Sequence, residues 1–213
     1  MKIYLATSNN HKQREMIDLF PGFEIVIPSQ EGITFDPIES GTSFIENSLI
    51  KAKTLWDIVK QPVLADDSGL CVDALKGFPG IYSARYGGKD FRKGKPHGEK
   101  TPQEEQNRLL IEEVNEILGN ESIHSKNRNC RYVCAMVLYL GTDRFYSVQE
   151  TMEGSIITSL DTARGQGGFG YDPIVILQNT NKTIAELSPE EKNNLSHRGK
   201  AAKMLYTLLT HFE

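Results

Sequence analysis

The chain has 213 residues, 38% of them hydrophobic and 24% charged, with a formal net charge of −4. This balance excludes a global electrostatic pull toward nucleic acid or anionic membrane surfaces, and no apolar run approaches the ~20 residues of a membrane span. The length suits one α/β domain, with room for two lobes.

The opening segment, Met1 to Thr7, is too short and too quickly polar to act as a signal peptide. Cys71, Cys130 and Cys134 are an odd set with no disulfide framework. Reduced thiols and a cytoplasmic location are therefore expected. Cys130 and Cys134 lie four apart in a β-like run, and nothing beside them completes a zinc set. Both read as buried packing.

Lys2 to Ala6 reads as a short strand. Gln13 to Phe20 reads as a helix with Met16, Ile17, Leu19 and Phe20 on its dry side. Between them lies Thr7-Ser8-Asn9-Asn10-His11-Lys12. A strand, a turn rich in hydroxyls and amides, and a helix start with a lysine together make an anion site. Ser8, Asn9 or Asn10 could equally serve as a plain N-cap. The glycine-rich pattern of a P-loop is absent.

Phe23 to Ile27 is a second strand, followed by a loop to Gly41. Ser43 and Glu46 are spaced as a capping box at the start of the next helix. Ile45, Leu49, Ala52, Trp56 and Val59 form its expected buried stripe. Asn47 and Lys51 lie one turn apart on another face, free for a ligand. Glu39, in the loop before this helix, has no capping role to explain it.

Val63 to Ala65 reads as a buried strand ending in Asp66 and Asp67, with Ser68-Gly69 as turn chemistry. Alternation should send the two carboxylates to opposite sides, one toward a cleft while the other holds the turn. The carboxyl ends of strands in open α/β sheets are where ligands bind. Gly77 to Gly80 is a tight bend, and Gly87 to Thr101, glycine-rich and basic, reads as a mobile surface loop. Thr101-Pro-Gln-Glu104 is a capping box that opens a helix to about Leu118, stopped by Gly119.

Arg131 to Leu140 and Arg144 to Thr151 read as strands paired through Gly141-Thr-Asp143, with Gly154 to Ser159 a further extended segment. Gly165 to Pro173 holds four glycines in its first six residues, so backbone can approach a ligand closely. Phe169 and Tyr171 offer planar surfaces there and Asp172 an acceptor, which fits a base pocket. Pro173 to Leu177 is another strand. Ser188 to Glu191 is a third capping box, with Lys192 just behind it. The last helix runs from Ser196-His197-Arg198 to about Phe212, with Ala201, Leu205 and Leu208 inward. A histidine and an arginine in a first turn oppose the macrodipole, which points to a bound acceptor.

Five separated motifs then agree. They are Thr7-x-Asn9-x-x-Lys12; Ser43-Phe-Ile-Glu-Asn47 with Lys51; Ala65-Asp-Asp-Ser-Gly-Leu70 running on to Tyr82-Ser-Ala-Arg85; Gly167-Gly-Phe-Gly-Tyr-Asp-Pro173; and Ser196-His-Arg198. In this order they resemble the Ham1-like family of inosine/xanthosine triphosphate pyrophosphatases, over nearly the whole chain. The resemblance implies an α/β fold with a long mixed, twisted sheet flanked by helices. It implies one domain, 1–213, in two lobes with a central active-site cleft, and usually a homodimer. The implied reaction converts ITP, dITP or XTP to the monophosphate and pyrophosphate.

The resemblance also implies residue roles. Glu39 and Asp67 would be ligands of Mg²⁺, with Asp67 also activating the attacking water. Thr7, Ser8, Asn9, Asn10, His11 and Lys12 would hold the triphosphate, with Lys51 as a second cation and Ser68 as a donor to substrate. Phe169 would stack on the base, beside Gly170, Tyr171 and Asp172. Lys192 would lie near base or ribose, and Arg198, with His197, would donate to the purine O6. No nucleic-acid or membrane partner is expected.

Overall fold

A computed structural model describes residues 1–119 and 126–210. The fold is α/β. In chain order its main elements are β1 (Lys2–Leu5), α1 (Asn10–Leu19), β2 (Glu24–Val26), α2 (Phe44–Val59), β3 (Val63–Val72), α3 (Gln103–Leu118), β4 (Asn129–Gly141), β5 (Arg144–Ile156), β6 (Val175–Leu177), α4 (Pro189–Leu195) and α5 (His197–Leu209). Among the described residues the six strands form one sheet in the order β2-β1-β3-β4-β5-β6. The sheet is mixed: β1 runs parallel to β2 and β3, whereas β5 and β6 are antiparallel. The chain divides into two compact units, 1–67 with 134–150 and 193–213, and 68–133 with 151–192. The first boundary falls inside β3, between Asp67 and Ser68.

In the first unit, strand alternation sorts side chains between two cores. Ile3, Leu5 and Leu64 pack with Met16 and Phe20 of α1 and with Ala201, Ala202, Leu205 and Leu209 of α5. Tyr4, Ala6, Val63 and Ala65 pack instead with Ala52 and Leu55 of α2. Helices α1 and α5 therefore cover one face and α2 the other. The alternation does not stop at Ala65. Asp66 continues the series toward α1 and α5, and Asp67 the series toward α2.

The Asp-Asp-Ser-Gly stretch is thus not a turn. β3 runs on to Val72, and both carboxylates lie inside a buried strand. The composition that favours turns is overridden because every apolar neighbour on the strand finds a core, and each aspartate finds a cation. Helix α2 keeps Leu49, Ala52, Trp56 and Val59 of its expected stripe against the core, but its buried face is wider than that stripe and omits Ile45. Ile45 is 38% exposed, while Phe44, Asn47, Ser48, Lys51, Ala52 and Leu55 are buried. Three polar residues can occupy that face because each is satisfied inside: Ser48 Oγ donates to the Ala135 carbonyl at 2.7 Å, and Asn47 and Lys51 both reach Asp67. Smaller corrections have the same character. Ile17 points outward, at 49% exposed. Leu209, not Leu208, completes the inner face of α5. The expected last turn of α5, at Phe212, lies outside the described residues.

The second unit has its own core, built from Leu70 and Val72 of β3, Leu110 and Val114 of α3, Tyr132 of β4, Ile156 of β5 and Val175 of β6. Helix α3 stops at Gly119 as expected, with φ +62°. Its expected capping box does not form. Pro102 is the N-cap residue, no side chain caps it, and Thr101 Oγ1 is buried without a hydrogen-bond partner. The basic stretch before α3 lies on the surface, as expected, and is tied to α3 at two points. Lys89 pairs with Glu116 at 3.0 Å and Arg92 pairs with Glu113, which also accepts from the Tyr86 hydroxyl. Cys130 and Cys134 are buried, one in each unit, and burial pushes the Cys134 thiol up to about 12. The three cysteines are free.

Asp66 braces the first unit. Its Oδ2 accepts from Arg198 Nη2 at 3.0 Å and lies 2.9 Å from Lys12 Nζ. Arg198 Nη1 donates to Glu15 at 2.6 Å. Burial would raise the Asp66 carboxyl, but Lys12 and Arg198 outweigh it and hold the group well below the usual carboxylate range. A group depressed in the fold stabilises above its unfolded pKa of about 4, and that stability is lost as pH falls. Asp66→Asn should therefore cost about 3–5 kcal/mol at pH 7, the usual result of breaking a buried ion pair from one side. Thermal melts across the acid range should fall less steeply for the variant than for the wild type. Parallel acid limbs would remove Asp66 from the account.

Candidate active site

Three charged side chains of the first unit meet at one point. Lys51 Nζ, from α2, lies 2.8 Å from Glu39 Oε1 and 3.1 Å from Asp67 Oδ1. Asn47, one turn before Lys51, donates from Nδ2 to Asp67 Oδ2 at 3.3 Å. Asn47 and Lys51 are therefore not free on an outer face. They sit on the buried face of α2 and define both oxygens of Asp67. Burial works against the charge of Lys51, yet Asp67, Asp66 and Glu39 hold its pKa above the ordinary lysine value. Burial raises the Asp67 carboxyl, Lys51 and Lys12 oppose it, and the net result is a pKa above the ordinary aspartate value.

Two carboxylates that converge on one cation form the donor set Mg²⁺ uses, with water and phosphate oxygens completing the octahedron. The Lys51 ammonium stands where such a cation would be shared, so Glu39 and Asp67 fit a divalent ion. Among the described residues no group of three or more His, Cys, Asp or Glu could hold a metal.

The Thr7–Lys12 segment leads into α1, which begins at Asn10, earlier than expected. Asn9 is the N-cap: its Oδ1 accepts from His11 N at 2.8 Å and Lys12 N at 3.4 Å. Thr7 Oγ1 accepts from Asn9 N at 3.1 Å. The plain capping reading is therefore realised, and the cap holds the segment's shape. Ser8, Asn10 and His11 are exposed, and no acidic residue stands in the first turn of α1. Nothing in that turn offsets the positive end of the helix. Lys12 Nζ contacts Asp66, on the opposite face of β3 from Asp67.

In the second unit, the Gly165–Pro173 turn closes around Asp172. Its Oδ2 accepts from Phe169 N at 3.0 Å and Lys192 Nζ at 3.1 Å. Gly168, at φ +75°, is required there, because an added Cβ would lie 2.1 Å from Asp172 Oδ2. Asp172 is buried and organises the turn. Tyr171 is also buried, with its hydroxyl donating to the Ser83 carbonyl at 2.9 Å, so it offers no open ring face. Gly170 presents its carbonyl to Asn107 Nδ2 at 3.3 Å. Phe169 is half-buried, with Lys192 Nζ 4.7 Å from its ring centroid. One flat ring and one cation are thus presented together.

Ser68 lies half-buried on β3 in the second unit. His197 and Arg198 are buried in the first turn of α5. The acceptors expected for Arg198 include protein carboxylates: Nε and Nη2 serve Asp66, and Nη1 serves Glu15. Neither Glu15 nor Asp66 stood out as a partner in the sequence. The spacing from Glu15 to Arg198 spans 183 residues, and only the packing of α1 beside α5 joins them.

A family model described as the Ham1 family matches residues 3–208. The chain is 50% identical over 201 residues to a dITP/XTP pyrophosphatase of Treponema denticola, covering 94% of each chain. Two solved structures share the fold. A Ham1 protein of Coxiella burnetii has a TM-score of 0.82 at 32% identity, covering 99% of both chains. The Staphylococcus aureus Ham1 protein has a TM-score of 0.79 at 32% identity over the whole of both chains. With its fold, its ordered motifs and nearly its full length matched, this chain belongs to the Ham1 family.

Proposed function

We propose that this chain is a Mg²⁺-dependent hydrolase of nucleoside triphosphate anhydrides, converting ITP, dITP and XTP to the monophosphate and pyrophosphate. The observation that carries the reading is the convergence of Glu39 and Asp67 on one cation, in the same unit as the Thr7–Lys12 segment. The relatives' activity toward dITP and XTP supports the choice of substrate. The proposal includes a cytoplasmic enzyme acting as a homodimer, in line with the free cysteines and the family resemblance.

In this reading Glu39 and Asp67 hold Mg²⁺. The bound ion would neutralise phosphate charge and acidify a coordinated water. Asp67 takes the proton of the water that attacks the α-phosphorus. The bond from the α-phosphorus to the bridging oxygen breaks, and pyrophosphate leaves. Lys51 turns its charge from the carboxylates to the phosphates. Thr7 to Lys12 and the positive end of α1 hold the polyanion. Ser68 donates to substrate.

Phe169 stacks on the base with Lys192 alongside, on the Gly170-Tyr171-Asp172 turn. His197 and Arg198 read O6. The Glu15 side chain is 21% exposed and that of Asp66 is 1% exposed. The Glu15 end of Arg198 is therefore the one a keto oxygen can compete for. Adenine offers an amine there instead, and hydrogen-bonding sites reject such mismatches strongly.

A panel of purine triphosphates with Mg²⁺, read by pyrophosphate release, tests the activity. ITP, dITP and XTP should release pyrophosphate and ATP little. Release of single phosphates instead would refute the reaction. Asp67→Asn should abolish turnover without loss of the folded state; retained turnover would take Asp67 out of the chemistry. Phe169→Ala should raise KM for ITP by the ~1–3 kcal/mol typical of base–aromatic stacking, with kcat little changed. An unchanged KM would place the base elsewhere.

A further inference from the structure

Asn47 is buried at 0% exposure, in the interior of a helix face, yet it is polar. Both ends of its side chain are used. Gly41 N–H lies 2.9 Å from Asn47 Oδ1. A backbone amide can only donate, so the side-chain oxygen must face Gly41 and the NH₂ must face Asp67, which it meets at Oδ2. Asn47 thus bridges two pieces of backbone that the sequence holds apart: the loop two residues beyond Glu39, and β3 at Asp67.

The geometry has consequences for both carboxylates. With Oδ2 taken by Asn47, Asp67 turns Oδ1 toward Lys51 Nζ, the atom that Glu39 Oε1 also approaches. With Gly41 N–H fixed, the loop cannot swing Glu39 away from that point. The fit leaves no slack. A Cβ on Gly41 would lie 2.6 Å from Asn47 Oδ1 and 2.7 Å from Glu46 Cβ. The glycine is there because the loop must press against the amide. We infer that Asn47 is a positioning residue: one side-chain amide locks the Glu39 loop and the Asp67 carboxylate into a single preorganised pair for a divalent cation.

This inference rests on the proposed metal reading and deepens it. Groups that orient metal ligands without touching the metal typically set affinity by a factor of about 10–100. Helix stability alone would not produce such an effect, and the neighbouring Ser48 supplies the contrast. Ser48 shares the buried face of α2 and donates to the Ala135 carbonyl, away from both carboxylates.

Full-length wild type, Asn47→Ala, Gly41→Ala and Ser48→Ala are titrated with Mn²⁺ by electron paramagnetic resonance, alongside thermal melts. Asn47→Ala should weaken Mn²⁺ binding about 10–100-fold. Gly41→Ala, which keeps the asparagine but crowds its oxygen, should weaken it in the same direction. Ser48→Ala should melt earlier and bind Mn²⁺ as the wild type does. If Asn47→Ala does not fold, Gly41→Ala decides the matter. A folded Asn47→Ala, or in its place Gly41→Ala, with wild-type Mn²⁺ affinity overturns the inference and leaves the metal reading standing. An equal loss in Ser48→Ala also overturns it, in favour of helix packing. A wild type that binds no Mn²⁺ overturns both.

Discussion

Two adjacent aspartates inside one buried strand are the constraint on which the first unit depends. A strand sends neighbouring side chains to opposite faces, so Asp66 and Asp67 cannot share a partner. Each needs its own cation, because an unpaired buried carboxylate is far too costly to keep ionised. Asp66 draws Lys12 from α1 and Arg198 from α5. Asp67 draws Lys51 from α2. The helices that flank β3 are thus tied to it by charge as well as by their apolar faces.

The two environments then separate the roles of two chemically identical groups. Asp66 is enclosed, with one oxygen collecting both Lys12 and Arg198, and its pKa is pushed far down. It stays a carboxylate at any working pH and serves as a fixed anion. Asp67 shares its lysine with Glu39, so the same positive charge is divided between two acids. Its pKa rises. Pairs of titratable groups driven apart in this way are a signature of divided labour between structure and chemistry.

Much of this was legible in the sequence, and particular residues show where legibility ended. The opposed directions of Asp66 and Asp67 followed from strand period alone. The helix stop at Gly119, the Ser43 cap and the pairing of Ser188 with Glu191 followed from local cap chemistry. The strand's length did not, since Asp-Asp-Ser-Gly carries the composition of a turn and only tertiary partners make it a strand. The inner face of α2 was legible at Leu49, Ala52, Trp56 and Val59, but periodicity counts apolar residues and gave no sign that Asn47, Ser48 and Lys51 are buried as well. Nor could local pattern give Glu15 beside Arg198, a contact across most of the chain. Tyr171 and Asp172 were rightly placed within a special turn, but their side chains proved to build that turn rather than face outward.

The polar face of α2 carries a general point about how such a site is held. An apolar face at Asn47 and Lys51 would pack as well, but it would leave Asp67 without a donor on either oxygen. Lys51 alone would leave the carboxylate free to rotate about its last bond, with a single ammonium shared between two acids. A second, neutral donor at Oδ2 removes that freedom without adding charge to compete for a cation. A second charged donor, added to Lys51, would compete with a metal ion for the same carboxylate. An amide is therefore the side chain that can fix the carboxylate and still leave its negative charge available. Its other end, turned to Gly41, extends the same restraint to the loop that carries Glu39.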